Sequence, residues 1–319
     1  MSKDEYLITN APLKALTVFA MPMILGSFFQ QIYNMADSII VGQFVGSSAL
    51  AAVGACAALT NVFICVALAT LIAQGISAVF SLLIFFHRMR RYKSHFDWFG
   101  FDRQELLSMF QIAVPSVLQQ STVSIGMMIV QAVVNPFGTQ ALAGYSATMR
   151  VENVFSLIFV SIGNAVSPYV SQNLGANKPQ RIKKGYQAAL VLDVCFAVIA
   201  FIIIETLHTQ ISSLFLGKDG TALAYQVSGD YMRWIGYFFI FMGIKMATDG
   251  VLRGLGIMRP FLIANMVNLA IRLSVALIFA PRFGIAFVWL AVPAGWLANF
   301  LVSYVALRRS WPTDVEPHR

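Results

Sequence analysis

Residues 15–63 read ALTVFAMPMILGSFFQQIYNMADSIIVGQFVGSSALAAVGACAALTNVF, and residues 106–155 read LLSMFQIAVPSVLQQSTVSIGMMIVQAVVNPFGTQALAGYSATMRVENVF. These are two copies of one pattern. Pro22 pairs with Pro115, Gly46 with Gly138, Ala49-Leu50-Ala51 with Ala141-Leu142-Ala143, and Asn61-Val62-Phe63 with Asn153-Val154-Phe155. Both copies are too apolar for water. A duplicated hydrophobic unit implies a membrane protein of two related halves, the way many transporters are built.

Composition agrees. Of 319 residues, 58% are hydrophobic and 11% charged, against about 25% charged in soluble domains. The net charge of +8 sits in short clusters between apolar runs, the pattern of loops on one side of a membrane, which argues against nucleic acid as a partner and for a lipid bilayer. Cys56, Cys65 and Cys195 lie inside apolar runs, with no C-x-x-C pair and no metal-ligand spacing, and read as buried packing thiols. No cleavable signal peptide is evident; the first apolar run reads as a retained span.

A spanning helix needs roughly 20 mostly apolar residues. About eight such spans are expected, near 14–41, 49–86, 106–133, 141–170, 187–207, 226–252, 260–280 and 285–307. The loops at 87–104, 171–186 and 253–259 and the tail carry most of the Lys and Arg, whereas those at 42–48 and 134–140 carry none. The positive-inside rule then places both termini in the cytoplasm. Segment 49–86 is anomalous: its 38 residues would make a helix of about 57 Å against about 30 Å of hydrocarbon. Charge favours a single net crossing, because two would put the basic 87–104 loop beside the uncharged 42–48 loop.

The repeat suggests the cause. In the second half a long run separates Asn153-Val154-Phe155 from LAVPAGWLANFLVSYVALRR at 290–309. In the first half, Asn61-Val62-Phe63 is followed almost at once by the similar LATLIAQGISAVFSLLIFFHR at 68–88. The first half is therefore about 130 residues shorter than its twin. The expected architecture is an all-α polytopic membrane protein with two lobes: residues 1–104 a truncated N-terminal lobe, and 105–319 a complete six-helix C-terminal lobe.

Several stretches carry a resemblance: MADSIIVGQF and ALAAVGA within 35–54, SPYVSQNLGA at 167–176, and GVLRGLGIMRP at 250–260. In order, spacing and topology the chain is similar to multidrug and toxin extrusion (MATE) transporters, most closely the bacterial branch that includes the DNA-damage-inducible F type. The resemblance implies twelve helices in two six-helix lobes around a central cavity. It also implies export of small organic, often cationic, compounds in exchange for H⁺ or Na⁺, in the cytoplasmic (inner) membrane of a bacterium, with no cofactor. This chain departs from that pattern by lacking counterparts of the third to fifth helices and parts of the second and sixth.

Acids within apolar spans cost roughly 2.5–3.5 kcal/mol each at mid-membrane and are functional candidates by default. Asp37 matches the family's first-helix aspartate, implicated in ion coupling; it could take up a proton, or hold Na⁺ with nearby oxygens. The bland alternative is an acid near the interface that reaches water. Glu152 lies about 16 Å into its helix by helical rise, as a second coupling candidate or a structural pair. Asp249 follows Lys245 by four residues, placing both on one face as an internal ion pair, with coupling the lesser option. Gly243 stands where some other branches of the family carry an acid.

Arg272 reads as the anchor of a hydrogen-bond network, with Asn268 one turn before it. Arg253 reads as shaping a turn, and Asp193 and Glu205 as solvated at opposite ends of one span. Gln30, Tyr33, Asn34, Gln119, Gln120, Met127, Phe155, Met242 and Met246 are candidates for a substrate cavity, since soft and amide side chains suit varied greasy cations; plain helix packing is the alternative. Pro22 and Pro115 each remove a helical hydrogen bond and permit a bend.

No catalytic constellation or phosphate loop appears. His87 and His208 fall in loops, His95 beside a basic loop and His318 in the tail, so an enzyme is not expected, nor a bound metal beyond an optional Na⁺ at Asp37. Three readings remain: a cation-coupled exporter; a non-transporting truncated membrane protein or scaffold, with a homo-oligomer covering the shortened lobe; and a lipid-linked saccharide flippase of a related superfamily.

Overall fold

The computed structural model describes residues 6–44, 79, 82, 83, 86, 103–216 and 220–311, and the side chains in these ranges apart from those of 29–44, 105 and 108. Among the described residues the helices are α1 Tyr6–Thr9, α2 Pro12–Phe44, α3 Arg103–Val134, α4 Thr139–Gly175, α5 Pro179–Leu216, α6 Ala222–Gly254, α7 Met258–Phe283 and α8 Ala286–Arg309; a 3-10 turn at Asn135–Phe137 joins α3 to α4, and there is no strand. Helices α3 to α8 are each long and apolar enough to cross a membrane. The protein is an all-α polytopic membrane protein. Segment 49–86 lies outside the described residues except for the helical positions 79, 82, 83 and 86. Cys56, Cys65, His87, His95 and His318 lie outside them as well.

The apolar runs become helices because lipid offers their backbone groups no other partner. Helix α5 runs further at both ends than its hydropathy suggests. Pro179 opens it, where its fixed φ suits the first turn, no second Pro interrupts it, and its one glycine, Gly185, is helical and packs against the Tyr169 ring. His208, expected in a loop, is consequently helical and half-buried. The prolines expected to permit bends, Pro22 and Pro115, both fall inside helices, α2 and α3.

Small residues set the packing. Helix α6 makes its most extensive contact with α4, and the two run parallel: Gly144 meets Ala224, Gly163 meets Met246 and Gly250, and Ser167 meets Gly254. A Cβ added at Gly163 would strike the Met246 carbonyl, and one at Gly250 the Gly163 carbonyl, so the two backbones touch directly. Such close approach is how helices associate where lipid removes any hydrophobic drive. Gly229, Gly236, Gly243 and Gly250 recur every seven residues on α6; the first three face His208, Ile204 and Asp193 of the antiparallel α5.

Two buried clusters fill the bundle. One holds Tyr145, Phe159, Tyr231, Phe239, Trp289 and Trp296. The other holds Ile162, Val166, Tyr169, Val251 and Phe261 together with Leu16, Ala20 and Ile24 of α2. Helix α2 packs on α4 and α5. Ahead of it, the carbonyls of Leu7, Ile8 and Asn10 are capped by Asn173, Lys178 and Arg181 from the α4–α5 turn; cations and amide donors suit a helix C-terminus. Helix α3 touches the bundle lightly. Gln119 and Gly126 meet α7, Val130 and Val134 enter the core, and Met109, Val117 and Met128 are exposed. Met1–Leu50 with Met109–Arg319 form one compact unit and Ala51–Ser108 a second.

The outer surface is apolar. Val191, Val194, Val198 and Ile202 of α5 and Leu301 and Val305 of α8 are exposed, as a lipid-facing belt requires. Cys195, expected as a buried thiol, sits on this surface as an exposed free cysteine. It lies within an apolar run, but its position around the helix points it away from α4 and α6.

Candidate functional site

One buried polar cluster centres on Glu152. Tyr145, Met149 and Glu152 recur at helical spacing on one face of α4; α6 contributes Tyr231, α7 Arg272 and α8 Trp289. Glu152 is 5% exposed. Its Oε2 accepts a hydrogen bond of 2.6 Å from the Tyr231 hydroxyl. The Tyr231 ring stacks between Tyr145, at 5.6 Å, and Trp289, at 5.2 Å, which fixes where the hydroxyl points. Met149 Sδ also lies 3.6 Å from that hydroxyl. The Arg272 guanidinium, 8% exposed, is within electrostatic reach of Glu152 and beside the Tyr145 hydroxyl. Its Nε and Nη2 atoms have no hydrogen-bond partner among the described residues. A carboxyl, a phenol and an incompletely satisfied guanidinium in an apolar bundle form a group of charges that can change partners.

A second network ties four helices. Lys245 Nζ lies 3.1 Å from Asp249 Oδ2, and the Ser303 hydroxyl donates to Asp249 Oδ1 at 2.9 Å. Asn265 Oδ1 accepts from Lys245 at 3.4 Å and from Gln119 at 3.3 Å. Helices α3, α6, α7 and α8 thus meet at one neutral pair. Arg253, at the end of α6, donates to Asn164 Oδ1 at 3.0 Å and covers the Phe261 ring at 5.8 Å.

Asp193 corrects the expectation of a solvated acid. It is 0% exposed, and neither carboxylate oxygen has a hydrogen-bond partner among the described residues. Its Cβ and Cγ press on Gly243 of α6. Position along a span gives depth but not direction around the helix, and α5 turns this residue inward. Glu205, read the same way, is partly exposed and holds Arg233 at 2.6 Å. Water screens such an exposed pair, so it contributes little to stability.

The remaining candidates are dispersed. Gln120 is exposed and Met127 half-buried, both on α3; Phe155 is half-buried with its ring 5.6 Å from Phe239; Met246 is half-buried and Met242 packs in the core. Gln30, Tyr33, Asn34 and Asp37 lie in α2, with side chains outside the described residues. No cluster of three or more His, Cys, Asp or Glu able to hold a metal occurs among the described residues. Sequence reading missed Tyr145, Tyr231, Trp289, Asn265 and Ser303. Tyr145 alone had a signal, seven residues before Glu152 and so on its face.

Known proteins resemble this chain in sequence and in fold. A family model described as MatE matches residues 22–84 and 115–278. The probable multidrug resistance protein YoeA of Bacillus subtilis (strain 168) is 24% identical over 242 residues, 73% of this chain and 52% of that protein. The probable multidrug resistance protein YpnP of the same organism is 24% identical over 166 residues, 52% of this chain and 36% of that one. The chain thus spans about half, or less, of the length of these relatives. An outward-facing multidrug resistance MATE-family transporter of the MOP superfamily superposes with a TM-score of 0.62 at 19% identity, covering 68% of this chain and 48% of that structure. That likeness establishes the shared fold.

Proposed function

We propose a transport function on the premise that this chain belongs to the MatE family, whose relatives found here are transport and resistance proteins rather than enzymes. In this reading the protein exports small organic, often cationic, compounds across the cytoplasmic membrane of a bacterium in exchange for H⁺ or Na⁺. The basic turns and both termini face the cytoplasm. Residues 105–319 form the complete lobe and 1–104 an abbreviated one. Glu152 and Asp37 carry the coupling ion, and Asp249 is held back as the partner of Lys245.

One observation supports this most: Glu152 is buried among Tyr231, Tyr145 and Arg272 in the middle of the bundle. A buried acid in a spanning segment marks an ion pathway unless a structural pair consumes it, and among the described residues Glu152 makes no direct salt bridge, Arg272 acting on it only at electrostatic range. The test is efflux of a cationic dye from proteoliposomes under an imposed pH or Na⁺ gradient. Export abolished by Glu152→Gln and Asp37→Asn supports the assignment; gradient-driven export unchanged in both variants overturns it.

The exposed length of α3 favours keeping a second reading, a non-transporting protein whose open face is covered by another copy. Absence of any gradient-driven flux from a folded protein would select it. A flippase for lipid-linked saccharides would want a basic cavity; the deep residues here are mainly acids, amides and sulfurs, with Arg272 the main exception and Lys245 paired to Asp249.

A further inference from the structure

We propose that the crevice between α5 and α8 holds one anionic phospholipid. This proposal is separate from the export reading, because the crevice shares no residue with the Glu152 cluster. Its volume is about 730 Å³. Leu190 and Val194 of α5, Ile244 of α6 and Phe300 of α8 form its floor, and Lys183 and Arg308 stand at its rim. Among the described residues no acidic side chain lines it.

Three features select a lipid. The first is length. Lys183 and Val194 are eleven residues apart on α5, about 16 Å by helical rise, and one leaflet of hydrocarbon is about 15 Å deep. The crevice therefore runs the depth of one leaflet and no further. The second is the order of chemistry along it. Cations at one end give way to aromatic side chains and then to aliphatic ones. Arg308 sits over the Tyr304 ring at 5.7 Å, and the Tyr186 and Trp311 rings lie 6.4 Å apart. Tyr and Trp favour the headgroup level. The third is access: Val191, Val194 and Val305 beside the crevice are exposed on the lipid-facing belt, so it opens toward lipid.

Charge then selects the headgroup. Basic pockets between spanning helices on the cytoplasmic side take anionic headgroups, and each Lys or Arg at such a surface contributes on the order of a fivefold gain in affinity. Under the proposed orientation Lys183 and Arg308 face the cytoplasmic leaflet. A phosphate carrying net negative charge fits between them, and a phosphocholine, which brings its own cation, does not.

The experiment uses the whole purified chain in detergent, with native mass spectrometry and thermal melting as readouts. Dioleoyl-phosphatidylglycerol should bind and raise the melting temperature, and dioleoyl-phosphatidylcholine should do neither. Lys183→Gln with Arg308→Gln should weaken phosphatidylglycerol by roughly 30-fold. Val194→Trp, which fills the floor and leaves both cations, should weaken it as well. Equal binding of phosphatidylcholine, or full protection by inorganic phosphate alone, would overturn the proposal. So would loss of a dimer rather than of a lipid in Val194→Trp, which would make the crevice a contact between copies.

Discussion

Glu152 and Asp193 are buried to nearly the same degree, 5% and 0% exposed, in the same bundle, yet their surroundings are opposite. Around Glu152 three helices bring a phenol donor, a second phenol and a guanidinium. Asp193 lies against Gly243, and among the described residues no group hydrogen-bonds to it, the Tyr186 phenol reaching it only electrostatically. Depth in a membrane does not decide what an acid does; the groups facing it do. One neighbourhood can stabilise a charge and trade it, whereas the other is a packing surface that happens to end in a carboxyl.

The comparison breaks most readily at Arg272. Replacing it with Leu leaves Glu152 without its counter-charge, and Glu152→Leu strands Arg272. Each single change should cost about 3 kcal/mol, toward the low end for a broken buried pair because the two charges interact without direct contact, and the double variant less than the sum. Thermal unfolding in detergent measures this, and a purely additive double variant would show that the two groups do not interact. Tyr231→Phe should cost about 1.5–3 kcal/mol, the worth of a hydrogen bond to a charged acceptor, and should leave a ring still stacked between Tyr145 and Trp289.

Gly243→Ala tests the other neighbourhood. The new methyl meets the Asp193 Cβ, so a loss of about 1–3 kcal/mol is expected from overpacking, with much of it recovered when Asp193 is also changed to Gly. The smallest effect belongs to Asp193→Asn. With no hydrogen-bond partner to lose among the described residues, it should stay within about 1 kcal/mol of the parent, and efflux driven by a pH gradient should persist. A large loss of stability in that variant would mean that Asp193 has an unrecognised partner, and the contrast with Glu152 would dissolve.

Much of the fold was legible because lipid imposes one rule along the whole chain. Gly138 and Gly284, at φ +96° and +99°, separate helices where the apolar runs pause, and each described span falls inside an observed helix except for Ile285, which precedes the last one. The Lys245–Asp249 pair was legible from its four-residue spacing, and Glu152 from the cost of an acid in an apolar run. What sequence could not supply was direction around a helix. Asp193 and Cys195 stand two residues apart on α5, whose apolar residues surround it, so no polar stripe marks an outer face. One turned inward and the other to lipid, against expectation in both cases. Tyr231 and Trp289 were illegible for another reason: an aromatic in a spanning helix reads as packing until a second helix brings it a carboxylate.

The glycine seam between α4 and α6 has a mechanical consequence. Helices meeting through side chains can shear, because rotamers exchange and holes refill. Where Gly163 and Gly250 bring backbone onto backbone there are no rotamers to exchange. The pair should bend and tilt as a single stiff beam, with flexure displaced to its ends, at Gly138 and at Asn177, whose φ is +54°.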